Sequence, residues 1–267
     1  MIPASLPRSF LRTVIAAGFV LALAGCASAP TGQNADANDA NDPLEIPNRF
    51  VFAVNEAADI LVIRPAAEVY RGAVPDPIRD AVQNILNNLL SPIIITNELL
   101  QGDGQGAQNA AGRFLTNTIL GLGGVLDVAT QAGIPPYAYE DFGQTLGVWG
   151  LGEGPYLVLP LLGPSNLRDA TGFAVDTVAD PVRLWAYGAD AKNLLYLRGG
   201  TTAVNSRSLV LTQIDDLRRN SLDFYATLRS LYHQRREAEI RDREGATETP
   251  EFPEFDNAPA PAPTPMP

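Results

Sequence analysis

Apolar side chains recur along most of this chain at the spacing of one helix face, and the polar residues between them supply start and stop signals. Ile78, Val82, Ile85, Leu86 and Leu89 share a face behind Asp76-Pro77, an acidic cap followed by proline at the first helical position. Ser91-Pro92 and Asp180-Pro181 repeat that signal. Ser165 is placed to cap a helix over 166–178, and Gly102 to stop the apolar segment 93–100. Near the front, Asp42-Pro43-Leu44-Glu45 has capping-box spacing, but Pro47 falls past the first turn. The pattern there predicts one short turn and then a helix from Asn48, with Phe50, Val54, Ala57, Ala58 and Leu61 on one side. The last third predicts two amphipathic helices, 202–219 and 221–243, divided at Asn220-Ser221. Strand-like alternation is scarce, and its best run, 156–162, is interrupted by Pro160. The predicted fold class is all-α.

Two stretches depart from an ordinary helical bundle. Gly121-Leu122-Gly123-Gly124, and the run from Gly143 to Gly154 that includes Gly147, Gly150 and Gly152, set flexible positions beside strongly apolar ones. The second leads into Pro155-Tyr156-Leu157-Val158-Leu159-Pro160-Leu161-Leu162. Glycine permits positive φ and close backbone approach, so these segments are predicted to be sharply bent loops. The residues leave two readings open: turn chemistry between core helices, or apolar loops that face lipid or line a lipid path.

The ends differ in composition from the middle. Arg8 and Arg12 precede an uncharged apolar run from Val14 to Leu23, the form of a secretory signal over 1–25. Ten apolar residues are too few for a bilayer, which takes about 20, and no later segment reaches the roughly 18 uninterrupted apolar residues of a spanning helix. Leu23-Ala24-Gly25-Cys26 resembles the lipobox of bacterial lipoproteins, and Cys26 is the chain's one cysteine. That resemblance implies a diacylglyceryl thioether at Cys26, cleavage before it and acylation of the new amino group. Three acyl chains at about 0.8 kcal/mol per buried CH₂ make a stable anchor. Ala27 in place of aspartate implies, by the lipoprotein sorting rule, the outer membrane of a Gram-negative envelope. Residues 26–41 then read as a flexible tether, 42–243 as one helical domain, and the Pro/Ala/Glu-rich 244–267 as a disordered tail.

Charge and chemistry exclude several classes. Loss of Arg8 and Arg12 from 19 basic residues against 30 acidic ones leaves the mature chain at a formal −13, which repels nucleic-acid phosphate. The lone histidine, His233, lies beside Gln234, Arg235 and Arg236 and reads as satisfied or solvated, not as a base. Ser165 lacks the second glycine of a nucleophile elbow, and Gly150-Leu151-Gly152-Glu153-Gly154-Pro155 has no Gly-Lys-Ser/Thr ending. Glu140-Asp141 is a possible carboxylate pair with no partner base in view. With Cys26 committed to lipid, no ligand set remains for a transition metal, and no cofactor is expected. Nothing nominates an enzyme.

Several long motifs, in order along the chain, resemble the MlaA (VacJ) family of outer-membrane lipoproteins. They are Asp42-Pro43-Leu44-Glu45 with Asn48-Arg49; Val74-Pro75 with Pro77 and Arg79; Asn97-Glu98-Leu99-Leu100-Gln101-Gly102; Arg113-Phe114 with Asn117-Thr118; Gly121-Leu122-Gly123-Gly124 with Asp127-Val128-Ala129; Glu140-Asp141-Phe142-Gly143-Gln144-Thr145-Leu146-Gly147; and Gly154 to Pro160 continuing through Gly163-Pro164-Ser165 to Leu167-Arg168-Asp169. The similarity covers nearly all of 42–240. One departure is Ile46-Pro47, where the family usually carries an aromatic before Asn-Arg.

The resemblance implies amphipathic helices arranged as a ring in the membrane plane around an amphipathic channel. It implies removal of phospholipids misplaced in the outer leaflet of the outer membrane, and their transfer to a periplasmic carrier feeding an inner-membrane ABC transporter, with trimeric porins as partners. In that setting Gly147, Gly150, Gly152 and Gly154 are candidates for a loop controlling the channel, and Leu157, Val158, Leu159, Leu161 and Leu162 for the apolar surface beside it. The competing readings are a structural lipoprotein that clamps a porin and moves no lipid, and a phospholipid hydrolase, for which nucleophile and base are lacking.

Overall fold

The computed structural model describes residues 42–136 and 139–241. Cys26, the signal, the tether and the tail lie outside the described residues. The described residues open with one long helical rod with a change of pitch: α1 (Glu45–Ala58), a π-helical turn (Asp59–Ile63) and α2 (Arg64–Ala73). The predicted start at Asn48 is corrected, because Pro47 lies within the first turn. Its missing N–H is one of the orphans there, and the carbonyl four residues back belongs to Pro43, outside the helix.

Helices α3 (Asp76–Gln101) and α4 (Gly104–Ile119) pack against each other. Asp76 is itself the first residue of α3, with Pro77 second, so Asp76 is not the cap. The start signal at Ser91-Pro92 is overridden, and α3 runs through Pro92. A buried stripe of Leu86, Ser91, Ile94 and Asn97 continues across the proline against its neighbours, which offsets the lost backbone bond. Gly102 ends α3 in the left-handed region at φ 82°, as predicted. Short helices α5 (Val128–Gln131) and α6 (Phe142–Val148) follow.

Among the described residues an antiparallel hairpin, β1 (Tyr156–Leu159) and β2 (Gly163–Asn166), is the addition to the helices. Pro160 falls in its turn and so does not interrupt the strand. Two amides of α1, seven residues apart, bond the backbone of β1 and its turn in place of a third strand. Asn48 donates to the Tyr156 carbonyl at 2.9 Å and accepts from the Val158 N–H at 3.0 Å. Asn55 donates to the Leu159 carbonyl at 2.9 Å and accepts from the Leu161 N–H at 2.8 Å. Asn48 also donates to Asp42 at 2.8 Å, and Asp42 in turn accepts from Tyr225 and from Arg229. Replacing Asn48 with alanine strands a buried carbonyl and N–H at once, so a loss of at least about 2 kcal/mol is expected. Urea denaturation of the full chain checks this, and an unchanged midpoint refutes it.

The hairpin leads into α7 (Leu167–Ala179), which is capped by Asn166 accepting from Asp169 N–H at 2.7 Å, not by Ser165, which lies buried in β2. α8 (Pro181–Gly188) starts at the predicted Asp180 cap. The helix expected over 202–219 is two helices, α9 (Asn193–Leu209) and α10 (Leu211–Asn220), broken at Val210. The Arg207 guanidinium, drawn toward Asp59, also donates to the Val210 carbonyl. Gly199-Gly200 hid the earlier start, since packing overrides their poor propensity. α11 (Phe224–Arg241) closes the described chain after the predicted break.

The interior is unusually polar. Among the described residues, fully buried Asn, Ser, Thr, Glu and Arg side chains outnumber buried apolar ones, and the compact apolar cluster is Tyr156, Val158 and Tyr225 with Val51, Phe52 and Tyr232 around it. Phe50, Leu61, Val62, Val69, Ile119 and Tyr196 are among many large apolar side chains that lie outside. No helix among the described residues is long and apolar enough to cross a membrane.

Candidate functional site

The glycine-rich segment begins inside α6 and is anchored at both ends. Asp141 caps α6, accepting from the Gln144 N–H at 2.8 Å. Gly147 lies within the helix where α11 comes close: a Cβ there would stand 2.7 Å from Ile240 Cδ1. Gly150, at φ 88°, terminates α6. The Leu151 N–H reaches back to the Leu146 carbonyl and the Gly150 N–H to the Gly147 carbonyl, both at 2.9 Å, a Schellman stop that demands glycine at its left-handed position. Gly152 has open space around it. Gly154, at φ 69°, faces Leu167.

The far end is strapped to α7 by Arg168 N–H to the Glu153 carbonyl at 3.2 Å and Leu167 N–H to the Pro155 carbonyl at 3.1 Å. His233 Nδ1 lies 3.0 Å from Glu153 Oε2 and is thus satisfied. The loop between α6 and this strap is therefore short, Trp149 to Gly152. Trp149 donates through Nε1 to the Leu100 carbonyl at 3.0 Å and meets Phe142 edge to face.

The apolar residues after the loop divide between two environments. Val158, 5 % exposed, turns into the tyrosine cluster. Leu157 and Leu159 are half-buried. Leu161, 70 % exposed at φ 63°, and the exposed Leu162 form the hairpin tip. The structure thus places the nine named loop and hairpin residues in one continuous segment, with Val158 directed inward and the tip outward.

Sequence reading missed a further feature, an amphipathic cavity of about 220 Å³ lined by α3, residues 139–141, α7 and Arg198 of α9. Leu90, Ile93, Ile94 and Phe173 form its apolar wall; Glu140, Asp176 and Arg198 are among its polar ones. A chain of hydrogen bonds runs next to it. Gln101 donates to Glu140 at 2.9 Å, Thr145 donates to Asn97 at 2.9 Å, and Asn97 donates to Asp176 at 3.1 Å. Asp176 also accepts from the Phe142 N–H at 2.8 Å. Burial pushes Glu140 up to about 7 against the Gln101 hydrogen bond, and raises Asp176 as well. Glu98, 4 % exposed, is likewise pushed up to about 7 by burial and then by Asp103. The signal available in the sequence was the pair Asn97-Glu98, polar residues inserted into the apolar run of α3.

Behind the loop, α11 is held by ions. Arg236 donates to both oxygens of Asp141 at 2.9 and 3.0 Å, to Asp169 at 2.8 Å and to Glu239 at 2.9 Å. Asp141 of the Glu140-Asp141 pair is thus a helix cap and an arginine partner.

Comparison with known proteins covers most of the chain. The family described as MlaA lipoprotein matches residues 40–239. The intermembrane phospholipid transport system lipoprotein MlaA of Escherichia coli K12 is 38 % identical over 216 residues, 80 % of this chain and 82 % of that protein. Its Haemophilus influenzae namesake is 33 % identical over 225 residues, 83 % and 87 % of the two chains. A solved structure described as the structural basis for maintenance of bacterial outer membrane lipid asymmetry superposes with a TM-score of 0.65 at 34 % identity, covering 74 % of this chain and 98 % of that one. The family is one of transport lipoproteins, not of enzymes. With three quarters of its length matched by the family and an aligned fold, the chain belongs to the MlaA lipoprotein family.

Proposed function

We propose that this chain removes phospholipids misplaced in the outer leaflet of the outer membrane and passes them to a periplasmic carrier that feeds an inner-membrane ABC transporter. The observation that carries the reading is the reversed burial: charged and amide side chains fill the interior while large apolar ones face outward. Exposed apolar surface on this scale fits lipid contact. Helices lying in the membrane plane satisfy their backbone bonds internally, so a ring of them sits in a bilayer without a spanning segment. Acyl chains on Cys26 hold it there, with a trimeric porin as neighbour. The names of the E. coli and H. influenzae relatives support phospholipid as the cargo.

The test is the susceptibility of surface phospholipid to added phospholipase, in cells lacking the protein and in cells restored with wild type or Cys26→Ala. Exposure is expected to rise on loss and to fall only with wild type; unchanged exposure overturns the reading.

The loop from Trp149 to Gly152 is the proposed control of the lipid path, with Leu161 and Leu162 as the apolar surface beside it. A disulfide tying that loop to the end of α3, near the existing contact of Trp149 with Leu100, is expected to abolish lipid removal at a normal protein level. Retained removal defeats gating. One observation favours the porin clamp as the second reading: the 220 Å³ cavity is below the roughly 300–1,000 Å³ of small-molecule pockets. Lipid passage therefore requires its walls to part, which the same disulfide tests.

A further inference from the structure

A second, smaller cavity of about 30 Å³ lies between α3 and α4 under the Gly121–Gly124 loop. Every side chain around it is polar. Asn84, Asn87, Asn88 and Ser91 come from one face of α3, Arg113 and Asn117 from one face of α4, and Asp127 from the cap of α5. Most bonds of this group are closed. Arg113 Nη2 donates to both Asp127 oxygens at 2.9 and 2.8 Å, and its Nη1 donates to Thr130 and to the carbonyls of Ile134 and Pro135. Asn117 donates to Asp127 at 3.1 Å and accepts from the Ala129 N–H at 2.9 Å. Asn88 donates to Thr118 at 3.0 Å.

Two buried atoms of the residues lining this cavity stay unpartnered: Arg113 Nε, a donor, and Asn88 Oδ1, an acceptor. The two residues are 6 % and 7 % exposed. Leaving such groups unpaired costs about 1–3 kcal/mol each. We propose that the cavity is a built site for one buried water molecule, which accepts from Arg113 Nε and donates to Asn88 Oδ1. A cation or ammonium offers no acceptor to Arg113, and an anion offers no donor to Asn88. The space suits a water, which needs roughly 10–15 Å³ and two to four polar partners, and excludes an organic ligand.

The water couples three motifs whose role was open: Arg113 with Asn117, the glycine loop, and Asp127. Gly124, at φ 94°, brings the loop so close that a Cβ there would stand 2.6 Å from Asn88 Cβ, so the loop roofs the site.

The test is a crystal structure of the full mature lipoprotein at a resolution that shows ordered water, for wild type and for Asn88→Leu. In wild type a single peak is expected about 2.7–3.2 Å from both atoms, and in the variant its loss. An empty wild-type map overturns the assignment, as does a peak that refines as an ion or one that persists in Asn88→Leu. The wild-type map decides alone if the variant fails to fold.

Discussion

Replacing Arg236 with alanine is expected to cost about 3–5 kcal/mol and to loosen α11 from α6 and α7, because it leaves the partly buried Asp141 without its cation and leaves the buried Asp169 with Arg168 alone. Asp141, Asp169 and Glu239 all close on this one guanidinium. Burial alone would raise Asp169, but Arg236, with Tyr232 and Arg168, holds the carboxylate below its ordinary value. The stability from Asp169 is thus fully present above its unfolded pKa and lost as pH falls through the lowered folded one. Arg235 is the control: one residue away, it is exposed and makes an i,i+4 pair with Glu239 at 2.6 Å. Its alanine variant should lose less than about 1 kcal/mol. Urea denaturation of the full chain in detergent compares the two, and equal midpoints would sink the argument.

Glu98→Gln is expected to act in the opposite direction and to stabilise the protein at neutral pH. The Glu98 carboxyl is pushed up to about 7 in the folded chain, against an ordinary 4.5. Between those values the folded state holds a proton that the unfolded state has released. Stability therefore falls as pH rises through that window, fully retained below about 4.5 and lost above about 7. The shift corresponds to a loss on the order of 3 kcal/mol for wild type. Glutamine keeps the shape without the charge and should flatten this slope. Denaturation midpoints from pH 4.5 to 8 measure it; parallel profiles for wild type and variant would refute the assignment.

How much could be read in advance depended on whether local chemistry or tertiary packing decided the outcome. The Gly102 stop, the Asp180 cap and the break at Asn220-Ser221 are local devices, and the chain obeys them. Pro92 and Gly199-Gly200 argue locally against helix and were overruled by long faces packed on neighbours. The hairpin escaped because its partner is an α-helix whose amides imitate a strand, a pairing with no period in the sequence. The glycine segment was visible as a bend, but not its anchoring at Gly150 and Glu153. The cavity needed four distant segments brought together, and only Asn97-Glu98 hinted at it. Residues 1–41, where the anchor at Cys26 was read, lie outside the described structure.

The pairing of Asn48 and Asn55 with the hairpin is also a matter of matching rulers. Seven residues of α-helix advance about 10.5 Å, and three residues of strand advance about 10 Å, so both amides find backbone partners in one alignment. A slip of a single strand residue, about 3.4 Å, would miss both at once, and Pro160 offers no N–H to catch the misplaced amide. The hairpin is thus indexed to the helix like a tooth in a rack. Sliding is forbidden, and the motion left to it is to peel from the tip, releasing Asn55 first and pivoting about Asn48.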